Sequence, residues 1–235
     1  MSEATPPLSP LTLLAQLVAF DKSISSSEAG ATRTLNGRGF RLAGFDEAGR
    51  GALAGPVVVA CVHFDALSDP GRLVGLNDSK RLTPKKREVL YGRICSLAKW
   101  GIGSASHAVI DQQGIVPALS CAARRAYRNM GQQADLLLLD QGLSLRSGFA
   151  PCEPLVEPPL PQELAFIRGD AKSLHIAAAS ILAKVSRDRM MSRLHTRFPA
   201  YRFDRNKGYG TPDHMKTLRR LGPSSIHRRS FRLGR

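Results

Sequence analysis

The chain is short of acidic residues and has no closely paired cysteines. Its 235 residues include 19 Asp and Glu against 34 Lys and Arg, giving a formal net charge of +15 and a pI near 10.4. An imbalance of that size points to a polyanionic partner, because neutralisation of phosphates by Lys and Arg drives nucleic-acid binding. The four cysteines, Cys61, Cys95, Cys121 and Cys152, contain no C-x-x-C pair. A zinc ribbon and a thioredoxin-like motif are therefore unsupported, and the wide spacing reads as reduced thiols. No apolar run approaches the ~20 residues of a membrane span. The stretch Leu11 to Phe20 is apolar but contains Gln16, follows Glu3 and three prolines, and has no basic flank, so a signal peptide is not expected. These absences together predict a cytoplasmic protein with no membrane contact.

What is present is enough apolar material for a core, 43% of residues, with the charge unevenly placed. From Lys184 to Arg235 there are 15 Lys and Arg against Asp188, Asp204 and Asp213, a net of +12 out of +15. Phe198, Tyr201, Phe203, Tyr209 and Phe231 are interleaved with these cations. That mixture reads as a folded binding surface, not as a solvated tail.

Residues 1–39 read as a flexible N-terminal extension. Leu11, Leu14, Ala15 and Val18 have the spacing of one short amphipathic helix, and Ser23 to Gly39 has the composition of a linker. Residues 40–198 form the expected core. Strands are predicted at Leu42 to Glu47, Val57 to Phe64, Gly101 to Val109, Leu136 to Leu139 and Leu164 to Ile167. Helices are predicted from the Asn77-Asp78-Ser79 cap cluster to Lys99, over Asp111 to Met130 and over Ser173 to Phe198. Leu143 to Pro161 reads as an irregular surface insertion, and no role is assigned to it. Residues 199–235 read as a basic helical region contacting nucleic acid, with a helix near Pro212 to Leu221. Three strands in succession, then strands alternating with helices, predict a mixed sheet in an α/β domain.

Acids recur where apolar strands end: Asp46 and Glu47 after Leu42 to Phe45, Asp140 after Leu136 to Leu139, and Asp170 after Leu164 to Ile167. A carboxylate in that position is costly unless it is solvated, paired or bound to a cation. Four of them converging would repel one another, and hard cations such as Mg²⁺ or Mn²⁺, which favour oxygen ligands, would relieve that repulsion. Two such ions would clamp a phosphodiester. Each acid alone reads equally well as a cap or a surface residue. There is also a geometric tension, because adjacent strand residues point to opposite faces. Asp46 and Glu47 are expected to share a site only if the strand ends between them or a bulge re-aims one.

Gly49-Arg50-Gly51 is not followed by Gly-Lys-Ser/Thr, so a P-loop is unsupported. Its glycines do allow bare backbone to approach a ligand closely. A backbone group beside a sugar could read a 2′-OH, which separates RNA from DNA. Lys184 reads equally as a phosphate contact or a solvated stem. Asp188 reads as a partner for a neighbouring Arg, and His214 and His227 as structural.

The segment Gly44-Phe45-Asp46-Glu47-Ala48-Gly49-Arg50-Gly51-Ala52-Leu53-Ala54-Gly55-Pro56-Val57 resembles the signature of the ribonuclease HII family. So, in the same order, do Leu76 to Leu82, Gly169 to Ser173, Ile176 to Asp188, Lys207 to Thr211 and His227 to Phe231. The resemblance implies a ribonuclease H-like fold, with a mixed five-stranded sheet flanked by helices and a C-terminal helical region. It implies a monomeric endonuclease that hydrolyses the RNA strand of RNA–DNA hybrids and incises ribonucleotide-containing duplex DNA, leaving 5′-phosphate and 3′-hydroxyl ends. By the same resemblance Asp46, Glu47, Asp140 and Asp170 hold two Mg²⁺ or Mn²⁺ ions. Gly49, Arg50 and Gly51 sense the 2′-OH, Tyr209 packs on the following deoxyribose, and Asn77, Ser79 and Lys80 hold phosphates. Ala52 stands where the family usually has Pro, and Gln141 where it usually has Gly. The competing readings are a ribonuclease H-like DNA nuclease of the junction-resolvase type and a non-catalytic basic nucleic-acid-binding module.

Overall fold

The computed structural model describes residues 9–27, 40–65, 69–77, 79–147 and 160–233. The leader 1–8, Asp78, Cys152 and most of the 144–161 insertion lie outside the described residues. Helix α1 spans Pro10–Ser27, strand β1 Leu42–Ala48 and strand β2 Val57–His63. Then come α2 (Pro84–Leu97), β3 (Lys99–Ala105), α3 (His107–Gln113), α4 (Ile115–Met130), β4 (Leu136–Asp140) and β5 (Gln162–Phe166). The chain closes with α5 (Leu174–Arg197), the single turn α6 (Phe203–Asn206) and α7 (Pro212–Leu221).

The five strands form one sheet in the order β3-β2-β1-β4-β5. β1 pairs antiparallel with β2, and β2 with β3; β1 pairs parallel with β4, and β4 with β5. This is the mixed five-stranded sheet expected from the order of strand and helix patterns. α4 covers one face, packing Ala118, Ala122 and Ala126 against Phe45, Val57, Val59 and Leu139. α5 covers the other, with Ala178, Ile181 and Leu182 against Ala60 and Val62. The small residues of α5 let helix and sheet approach closely. At Gly44 the approach is so tight that a Cβ would strike the backbone of His175 and Ile176.

Several boundaries differ from the sequence expectation. α2 begins at Pro84, capped by Thr83, whose side chain accepts from Lys86 N, and not at the Asn77-Asp78-Ser79 cluster. A Thr at the cap followed by Pro at the first helical position outcompetes the upstream polar cluster. Lys99 opens β3, and α3 replaces the end of the third predicted strand because Ser106 caps it. Cys61 and Cys95 are free thiols. Cys121 is disulfide-bonded, which departs from the expectation of reduced thiols. No described helix is long and apolar enough to cross a membrane.

α1 extends through Ser27, into the stretch read as a linker, and it packs on the core. Leu14 and Leu17 join the cluster under α5, and Ile24 joins Leu42, Leu136, Leu138 and Ile176. A buried polar tie anchors it: Asp21 Oδ2 accepts from His175 Nδ1 at 2.7 Å and from His175 N at 3.2 Å. His175 Nε2 in turn accepts from Phe64 N.

The C-terminal region folds on a separate cluster of Ala54, Met191, Tyr201, Phe203 and Leu218. Two buried histidines cross it. Ser224 N donates to His227 Nδ1, so His227 carries its proton on Nε2 and donates it to His214 Nε2 at 3.1 Å. His214 Nδ1 then donates to the Tyr209 carbonyl at 2.8 Å. The relay works only with both rings neutral. Burial pushes His227 down to about 4, helped by His214, and burial also lowers His214.

Two outcomes follow. Leu17→Ala should destabilise the whole protein by ~2–5 kcal/mol in chemical denaturation, as for a core leucine; no change would show α1 to be a dispensable appendage. The histidines stay neutral in the fold but protonate near pH 6.5 when unfolded. Their contribution is therefore complete above pH 6.5 and is lost as pH falls from there toward 4. Calorimetry across that window should show a falling Tm that His227→Gln flattens.

Candidate active site

The ladder between β1 and β4 stops at Phe45↔Leu139, whereas the ladder to β2 runs on to Ala48↔Val58. Asp46 and Glu47 therefore sit on a stretch of β1 with one open edge, beside the end of β4 where Asp140 emerges. The strand neither ends nor bulges between them: Asp46↔Ala60 and Glu47↔Val59 are in regular register. This overturns the expectation of a break. The two side chains start on opposite faces of a strand whose edge β4 leaves open, and the charge of Glu47 still raises Asp46.

Asp46 is 7% exposed, and its Oδ1 accepts from Glu47 N at 2.7 Å. Burial, then the charges of Glu47 and Asp140, push its carboxyl well above the usual range, while a hydrogen bond from Ser180 lowers it. Burial likewise raises Glu47, opposed by Arg50, whose Nε donates to Glu47 Oε1 at 2.7 Å. Asp140 pushes Glu47 up further, and Lys80 pulls it down. Asp140 Oδ1 accepts from Gly169 N at 2.8 Å. The next residue, Asp170, lies in the 3₁₀ turn Gly169–Ala171 that this bond holds against the end of β4.

Asp46, Glu47 and Asp140 are thus in mutual electrostatic contact, and Asp170 belongs to the turn that fixes Asp140. Among the described residues, no three His, Cys, Asp or Glu have their ligating atoms gathered as for a bound metal. One oxygen each of Asp46 and Asp140 is held by a backbone amide, and one of Glu47 by Arg50. The donor set still fits a hard cation. It is all oxygen, its carboxyls repel one another, and Glu47 Oε2 is buried without a partner.

The loop after β1 is braced from behind. Gly49 has φ +91°, and a Cβ there would overlap Arg187 Nε. The Arg50 side chain lies over Gly142, a left-handed glycine one position after Gln141. The glycine needed beside Arg50 therefore occupies the second position after Asp140. Gly51 faces open space.

The other expected contacts are placed unevenly. Ser79 is buried, and its hydroxyl accepts from Ser180 Oγ at 2.9 Å. It therefore holds its turn to α5 instead of facing solvent. Arg87 Nη1 holds the turn by donating to the carbonyls of Ser79 and Leu82. Asn77 is half-buried at the start of this segment. Lys184 Nζ bonds Asp188 at 2.8 Å and lies 5.8 Å from the Tyr209 ring centroid. Asp188 thus pairs with a Lys, not an Arg. Beside it opens a cleft of about 800 Å³ lined by Arg87, Lys184, Arg189, Arg193, Arg205 and Lys207, among others.

Two arginines escaped the sequence reading, Arg187 and Arg228, both fully buried. Arg228 Nη1 donates to the Arg50 carbonyl at 2.8 Å and its Nε to the Gly55 carbonyl at 3.1 Å. Burial brings its pKa down to about 9. For Arg187 a signal existed: Ser180, Ala183, Arg187 and Met191 follow helical spacing along one face of α5, and that face is the buried one.

A family model described as Ribonuclease HII matches residues 43–233. A ribonuclease HII of Geobacillus kaustophilus is 48% identical over 193 residues, covering 81% of this chain and 68% of the relative. Among solved structures, the ribonuclease HII in a complex with PCNA from Archaeoglobus fulgidus is 28% identical. Its TM-score is 0.64, with 83% of this chain and 96% of that one covered. The Bst ribonuclease HIII in complex with Mn²⁺ shares the fold at 14% identity and TM-score 0.54, over 99% of this chain and 74% of that one. The chain belongs to the ribonuclease HII family of metal-dependent endonucleases, which hydrolyse the RNA strand of RNA–DNA hybrids.

Proposed function

We propose that this chain also incises duplex DNA at embedded ribonucleotides, through a site that holds two Mg²⁺ or Mn²⁺ ions on Asp46, Glu47, Asp140 and Asp170. The observation that carries this reading is the closeness of Asp46, Glu47 and Asp140 near the open edge of β1, where Glu47 and Asp140 raise the Asp46 carboxyl and Asp140 raises Glu47. When bound, the ions activate water and stabilise the leaving oxygen, giving 5′-phosphate and 3′-hydroxyl ends. The protein supplies the fixed oxygens. Ser180 and the Glu47 amide hold Asp46, Gly169 N holds Asp140, and Arg50 steers Glu47.

Substrate choice falls to the loop beside these acids. In this reading the backbone of Gly49, Arg50 and Gly51 reads the 2′-OH, and Tyr209 packs on the deoxyribose that follows. Lys80, near enough to lower Glu47, takes a phosphate in this reading, as do Asn77 and Lys184, the latter beside the Tyr209 ring. Ser79, whose hydroxyl is bonded to Ser180, serves as support instead. The basic cleft beside Lys184 continues the path for the duplex.

The assay is a DNA duplex carrying one ribonucleotide, with Mg²⁺ or Mn²⁺ supplied. Incision on the 5′ side of the ribonucleotide or at its 3′ phosphodiester establishes the activity; no cut with either ion, or equal cutting of all-DNA duplex, refutes it. Asp46→Asn should remove several kcal/mol of transition-state stabilisation, about a thousandfold or more in rate, while duplex binding persists. Tyr209→Ala should cost about 1–3 kcal/mol on the single-ribonucleotide substrate, the worth of a stacking contact, and less on long hybrids. Equal losses on the two would remove its junction role.

A further inference from the structure

Arg187 is fully buried on α5, and it donates three hydrogen bonds to backbone carbonyls. Nε donates to Pro56 O at 2.9 Å, Nη2 to Ala54 O at 3.2 Å and Nη1 to Lys207 O at 2.9 Å. The first two belong to the loop after β1, and the third to the segment just before Tyr209. The same guanidinium stands 5.2 Å from the Tyr209 ring centroid. It also fills the space where Gly49 would carry a Cβ. One planar group thus touches the glycine loop, the backbone leading to Tyr209 and the Tyr209 ring.

A guanidinium suits this position and an ammonium does not. Its donors leave a rigid plane in fixed directions, so three carbonyls bonded to it are held at fixed separations. The cost of burial is visible in a pKa lowered mainly by desolvation. A position used only for packing would be met more cheaply by an apolar side chain.

We infer that Arg187 is a specificity-determining positioning residue: it sets the spacing between the Gly49-Arg50-Gly51 loop and Tyr209, and so the preference for a ribose followed by a deoxyribose. The inference rests on the proposal that those two elements read the junction. Arg187 touches neither sugar. It acts by keeping the two readers one nucleotide apart, and long hybrids, which offer a ribose at every step, depend on that spacing less.

The experiment compares kcat/KM on a single-ribonucleotide duplex and on a long RNA–DNA hybrid for the full chain, for Arg187→Lys, for Tyr209→Ala and for the double variant, with Tm recorded for each. Arg187→Lys should lower the single-ribonucleotide to hybrid ratio at least about tenfold. In the Tyr209→Ala background it should leave the ratio unchanged, because coupled residues are non-additive. A parallel fall on both substrates, or the same fall in ratio with Tyr209 already removed, overturns the inference. If Tyr209→Ala itself leaves the ratio untouched, the junction reading fails first. Should Arg187→Lys not fold, the wild-type Arg187 Nε–H resonance is followed with Ca²⁺ in place of the catalytic ion. A shift with the single-ribonucleotide duplex and none with all-DNA duplex is expected, and identical responses to both overturn it.

Discussion

The β1–β4 ladder ends at Phe45, three residues before the β1–β2 ladder ends at Ala48, and the rest of the site depends on that mismatch. A strand paired on both edges can present neighbouring residues only to opposite faces. Once Phe45↔Leu139 is the last pair with β4, the following residues of β1 keep one neighbour and gain an open edge. Asp46 and Glu47 use it from the two faces, and Asp140 arrives at the same place because it is where β4 runs out. Parallel pairing of β1 with β4, and of β4 with β5, brings all these strand ends to one side of the sheet. Asp170 follows β5 there by a single turn.

Charge is balanced at this edge by contacts that occupy only part of each carboxyl. Arg50 and Lys80 lower Glu47, and backbone amides take one oxygen each of Asp46 and Asp140. A buried hydroxyl pair, Ser180 Oγ donating to Ser79 Oγ, ties the turn after residue 78 to α5.

Asp46, Glu47 and Asp140 stood out in the sequence because they lie on or after apolar runs that form buried strands, as Leu136 to Leu139 before Asp140 shows; Asp170 follows β5, an edge strand that is only half-buried. The mixed sheet was legible from the order of patterns. What local pattern does not encode is which ladder stops first, since this is a property of two strands distant in sequence; hence the expectation that the strand must end or bulge at Asp46 and Glu47 for both to serve one site. Ser23 to Ser27 reads as linker by composition, yet the helix continues through it, with α1 fixed by Ile24 and the Asp21–His175 tie. Arg187 and Arg228 were hidden among so many surface cations that their own burial left no compositional trace.

Those two arginines explain how a glycine-rich loop can be held in one conformation. Arg228 draws in the carbonyls of Arg50 and Gly55, and Arg187 those of Ala54 and Pro56. In a planar trans peptide, the carbonyl of one residue and the N–H of the next point in opposite directions. Holding the Arg50 carbonyl on Arg228 therefore aims the Gly51 N–H away from that buried guanidinium. Glycine provides the close approach, and the buried guanidinium provides the direction. The segment that carries Asp46 and Glu47 thus presents, a few residues later, a backbone donor whose orientation is set from inside the protein. A sugar hydroxyl would meet that donor already aimed, without the loop having to reorganise around it.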